Sequence, residues 1–135
     1  MINMPSEAEL LIEWKKRLGL MDWTIELETK CDPEKMDLED SDGCVSYAEV
    51  LKAAKIQIID PEKREEEAFY PFDFELVLVH ELLHLKLCLL ERGDNWEKLQ
   101  LRLLHVLLND LAKALVDAKR YKDEECKSGD QDRST

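Results

Sequence analysis

The amino-acid sequence predicts an α+β fold, a three-stranded sheet with helices packed on it in the order α-β-β-β-α-α. Three observations carry that prediction. Leu10, Leu11, Trp14 and Leu18 recur at helical spacing near the start. Three short stretches between residues 23 and 60 alternate apolar with polar side chains or read as compact apolar runs. Beyond Asp73 the helical period returns and holds to about Lys119.

Taken in order, Ser6 and Glu9 form a capping box ahead of the first helix, over about residues 7–18, and Gly19 stands at its C′ position. Trp23, Ile25 and Leu27 alternate with Thr24, Glu26 and Glu28, the pattern of a half-buried strand. Cys31 to Gly43 is rich in Asp, Glu and Pro and reads as a solvated connector. Cys44–Val50 is the second strand, and Ala54–Asp60 the third, stopped by Pro61. Glu62–Glu67 is a charged turn. Asp73 caps the next helix, with Glu75 in its first turn, and Gly93 ends it after about Arg92. Asp94 and Glu97 make another capping box for a long amphipathic helix over about 95–119. The expected organisation is one domain over residues 1–120 and a disordered charged tail over 121–135, where no core-forming residues remain.

Bulk properties narrow the partners. The 135 residues carry a formal net charge of −12, with no basic patch to neutralise phosphates, which argues against nucleic acid and anionic membrane. The start has neither a basic nor an apolar signal region. The longest apolar run, Leu76–Leu90, is interrupted by His80, Glu81, His84 and Lys86 and is too short and polar for a membrane span. Cys31, Cys44, Cys88 and Cys126 form no C-x-x-C pair, so reduced thiols in a cytoplasmic protein are expected.

The chemistry-bearing feature is His80-Glu81-Leu82-Leu83-His84, an H-E-x-x-H inside the second helix. Imidazoles four residues apart project from one helix face about 6 Å apart along the axis, so both reach one metal ion. With three His and eighteen Glu in the chain, chance would produce the pattern roughly 0.5% of the time. A catalytic zinc takes three protein ligands and leaves one position for water. His105, on an apolar face of the last helix, is expected to point inward and to be the third ligand. It outranks Glu97, Glu91, Asp110 and Cys88, which are explained by capping, distance, facing or burial. Glu81 is the expected general base, taking the proton of the attacking water and delivering it to the leaving amine. Tyr47 and Tyr70 are the nearest donors for an oxyanion. Asn109, Asp73 and Asp110 are open as supports for the histidines. A calcium loop over residues 38–49 is rejected, because Leu38 stands where its first carboxylate should be.

The segment Leu78-Val79-His80-Glu81-Leu82-Leu83-His84-Leu85, with Trp23-x-Ile25, Ile56-x-Ile58 and Leu111-Ala112-x-Ala114-Leu115, resembles the compact zincin-like metallopeptidases of phage and other mobile elements, and more distantly SprT-like domains. The resemblance covers about residues 8–117. It implies a minimal zincin-like fold with Zn2+ as cofactor and an edge strand able to hold an extended peptide beside it. In such proteins the final helix often supplies a Glu, where this chain has His105. Leu87 and Leu90 stand where the metzincin extension would need Gly and His. The expected activity is zinc-dependent hydrolysis of a peptide or amide bond in a peptide or protein substrate. The alternative is a catalytically silent binding or regulatory module with a structural zinc. A phage-encoded protease acting on a repressor is a third, weaker reading.

Overall fold

The computed structural model describes residues 4–37, 41–65, 70–88 and 97–132, with side chains to residue 122. It has the expected α+β architecture and element order. Helix α1 spans Glu7–Arg17. Strands β1 (Thr24–Cys31), β2 (Gly43–Ala48) and β3 (Ala53–Ile59) follow. A single 3-10 turn, Pro61–Lys63, leads towards α2 (Phe74–Lys86). Helix α3 spans Lys98–Asp132.

The ends of α1 obey the local chemistry. Ser6 Oγ accepts from the Glu9 backbone N–H at 3.1 Å and its hydroxyl donates to Glu9 Oε1 at 3.1 Å. At the other end Gly19 adopts φ +70°, its N–H donates to the Lys16 carbonyl, and the Leu20 N–H reaches back to Lys15. That is the paired closure in which a glycine at C′ takes the left-handed conformation without a Cβ penalty.

The strand order is β1-β3-β2. β1 runs parallel to β3 with Leu27 beside Ile56, and β2 runs antiparallel to β3 with Val45 beside Ile56. Ile25, Leu27, Val45, Tyr47, Ala54, Ile56 and Ile58 all pack into the main core with Trp14, Leu20 and Trp23. Helix α2 lies at the centre of this core and contacts α1, β2, β3 and α3. It buries Leu78, Val79, Leu82, Leu83 and Leu85 around most of its circumference, as a helix enclosed on several sides must. α3 presents one stripe to it: Leu104, Leu108, Ala112 and Val116 are buried at intervals of four.

Three expectations are altered. The segment before β2 is more than a solvated connector: Met36 is buried against Cys44 and Ile59 on the sheet face opposite the helices. The cause is Gln57, a buried amide on that face, whose Oε1 accepts from the Asp37 backbone N–H at 3.0 Å and the Cys44 thiol at 3.2 Å, and whose Nε2 donates to Glu28 at 3.0 Å. The cap on α2 is Asp73, as expected, accepting from the Leu76 N–H at 3.2 Å. Yet α2 ends at Lys86, capped at Leu87, earlier than the expected Arg92, and nothing in the local sequence signals that end. Gly93 and Asp94 lie outside the described residues, and Glu97 donates its N–H to Gln100 Oε1 at 2.9 Å. Lastly, α3 continues past Lys119: the backbone is helical through 121–132, within the stretch 121–135 expected as a disordered charged tail.

Candidate metal centre

His80 and His84 sit one turn apart on α2, both half-buried, with their Nε2 atoms 3.2 Å from each other. Their ring centroids are 5.0 Å apart. His105 comes from α3, with its ring 6.1 Å from that of His80 and 5.1 Å from that of His84. Among the described residues these three histidines are the one group whose ligand atoms gather closely enough to hold a metal ion, all within 4.8 Å of one another.

The third histidine arrives because α2 and α3 run antiparallel. Glu75 near the start of α2 meets Lys119 and Arg120, while His80 and His84 further along meet His105. One correction attaches to His105. It is exposed, not inward-facing. The buried stripe of α3 runs through Leu104 and Leu108, and His105 stands at its edge, where the helix surface turns towards an open cleft.

That cleft has a volume of about 470 Å³. The three histidines and Glu81 form one wall. Gly43, Val45 and Tyr47 of β2, with Asp37 and Ser41 before it, form the other. β2 is an edge strand, so the cleft runs beside a strand paired on one side. Glu81 is buried at 5% exposure yet lines the cleft. Gly43 makes this closeness physical. A Cβ there would come within 2.6 Å of Val77 Cγ1 and 3.4 Å of Glu81 Cγ, so only a glycine lets β2 approach α2 at this point. At the rim, the Asp37 carboxylate lies 3.1 Å from Lys55 and raises the pKa of that ammonium.

The donor set fits a divalent transition metal. Three neutral imidazoles and one open side suit zinc, whose tetrahedral nitrogens stand about 3.3 Å apart for bonds of about 2.0–2.1 Å. The His80–His84 pair already meets that spacing, and an exposed His105 has the rotamer freedom to close on them.

The remaining sequence candidates sort clearly. Tyr47 lies in the cleft. Tyr70 is not among the cleft residues; its carbonyl accepts from Arg64 and its ring lies 4.8 Å from that guanidinium. Asp73 is committed to the α2 cap and to Arg120, so it does not support a histidine. Asp110 and Asn109 are exposed on α3. Cys88 is buried in the main core with a free thiol. Asp42, part of the rejected calcium loop, is held by Arg64 at 3.0 and 3.3 Å. Gly43 and Asp37 are the site residues that sequence reasoning missed. A lone glycine before a strand was the available signal for the first, and Asp37 gave none.

Comparison with protein-family models, with curated proteins and with solved structures finds no match to this chain.

Proposed function

We propose that the chain is a zinc-dependent peptidase or amidase acting on a peptide or protein substrate. The observation that carries the reading is the convergence of His80, His84 and His105 at one end of a cleft that Glu81 also lines. A zinc ion held by the three imidazoles would supply Lewis acidity, making water a nucleophile at neutral pH and polarising a carbonyl. Glu81 accepts the proton of the attacking water on its carboxylate and passes it to the leaving nitrogen. Its burial against β2 restricts its rotamers, so the carboxylate is held for that transfer rather than recruited from solvent. Tyr47, on the facing wall, is the candidate donor to the oxyanion that develops on the carbonyl. The outer edge of β2 offers backbone groups to an extended substrate.

Metal analysis together with peptide-library cleavage tests this. The wild-type chain is expected to hold one zinc and to cleave. Glu81→Gln is expected to keep the zinc and lose about 100-fold or more in rate, the scale of a missing general base. His105→Ala is expected to lose the zinc. Retained zinc in His105→Ala would remove the third ligand, and full zinc without cleavage of any library would leave a binding module.

A further inference from the structure

We infer that the outer face of α3 is the contact between two copies of this chain, paired antiparallel about a two-fold axis between Asp110 and Leu111.

α3 has two apolar faces. The inner one is buried on α2. The outer one runs through Leu99, Leu103, Leu107, Leu111, Ala114, Ala118 and Tyr121, at steps of three and four residues that keep it on one side of the helix. Val106 lies beside it. All of these are exposed, from 38% at Leu111 to 64% at Tyr121 among the large ones. α3 has 35 residues and α2 has 13, lengths of about 52 and 20 Å, so α2 is too short to line the whole of α3.

Area favours a second copy as the occupant. At roughly 160–250 Å² for a fully exposed Val, Leu or Tyr, the six large side chains leave about 600 Å² uncovered per chain. That is at the top of the range for the largest patch on a monomer. Two such faces together would bury about 1,200 Å², where specific interfaces begin.

Shape and charge favour the antiparallel register. An axis between Asp110 and Leu111 sets Leu103 against Ala118 and Leu107 against Ala114. On either side of the axis large side chains then meet small ones and the helices approach closely, while at the axis itself Leu111 meets Leu111 of the second copy. On the flank, Arg102 falls beside Asp117 of the second copy and Lys113 beside its Asp110, although within each chain Lys113 and Asp117 also lie 3.4 Å from each other. These opposite charges offset the repulsion expected between two chains of net charge −12. One self-complementary surface closing on itself is the isologous arrangement of a two-fold dimer.

Sedimentation equilibrium on the full chain tests this, over a range of concentrations. The expected mass at the upper end is twice the 15.8 kDa of one chain. Leu107→Glu is expected to raise the dissociation constant about tenfold or more with unchanged far-UV circular dichroism. Ala114→Leu adds apolar surface but removes the small partner of Leu107, so it is also expected to weaken the dimer. Arg102→Glu is expected to weaken it and Asp117→Lys in the same chain to restore it. A single-chain mass at every concentration, oligomers larger than two, indifference to Leu107→Glu, or tightening by Ala114→Leu would each overturn the proposal.

Discussion

Two single residues bear loads their side chains do not advertise. Lys30 sits at φ +52°, in the irregular step of β1 between Glu28 and Cys31 where the pairing with β3 shifts register. An L-residue in that region costs about 1–2 kcal/mol, of which glycine's extra unfolded-state entropy gives back part. Lys30→Gly is therefore expected to stabilise the chain by about 0.5–1 kcal/mol in urea unfolding; a loss of stability would show that the left-handed geometry is not the cost it appears from its angle. Gly43 is the opposite case. Its φ is unremarkable, and the constraint is contact: a methyl there meets Val77 at 2.6 Å. Gly43→Ala is expected to cost about 1–3 kcal/mol, the range for overpacking a filled space. Because β2 would be pushed from Glu81, cleavage should fall by more than zinc affinity does. An alanine variant as stable and active as the parent would mean the gap is not set there.

Between elements, the pairing of α1, α2 and α3 is held by one polar cluster. Glu75, buried at the start of α2, accepts from Trp14 Nε1 at 2.7 Å, from Lys119 Nζ, and from Arg120 at 3.2 Å. Lys119 also meets Glu13 of α1 at 3.2 Å, and Arg120 makes a two-pronged contact with Asp73 at 2.7 and 3.0 Å. Burial pushes the Glu75 carboxyl up, but the hydrogen bonds from Lys119 and Trp14 outweigh it and hold the group below its usual value. The Arg120 guanidinium holds Asp73 low as well. Both carboxylates thus bind protons less readily folded than unfolded. Their stabilisation is complete above about pH 5 and is lost as pH falls through about 4 and below. Thermal melts from pH 7 to pH 3 are expected to fall in that window, and Glu75→Gln to flatten the fall while costing about 1–3 kcal/mol at pH 7. Equal slopes in parent and variant would remove Glu75 from the account.

For the whole molecule, a metal that binds only the folded chain adds stability by mass action. Zinc at 100 times its dissociation constant would contribute about 2.7 kcal/mol, and a chelator would remove it. The expected result is a melting temperature that rises with zinc in the parent and is unmoved in His84→Ala. A parent indifferent to zinc would end the proposed function at its first step. The same architecture links the site to the polar cluster through the two antiparallel helices, so loss of Glu75 is expected to weaken zinc binding modestly without touching a ligand.

Local chemistry determined a good deal of this protein. Caps at Ser6 and Asp73, the glycine at 19, the alternation of β1 and the spacing of His80 and His84 depend on neighbours within a few residues, and they were legible along the chain. Even His105 was legible as a candidate, since it is the one histidine beyond the H-E-x-x-H. The tertiary structure decided what depends on residues far apart: the strand order β1-β3-β2, the burial of Met36 over Gln57, the exposure of His105 at the edge of its stripe, and the choice of β2 as the wall opposite the histidines. Periodicity reports that a face is apolar but not which surface covers it, because contact between distant segments is set by packing volume and by the pairing of buried polar groups. That is why α3 reads from sequence as one amphipathic helix and folds as a helix with two apolar faces, one of them on α2 and the other exposed.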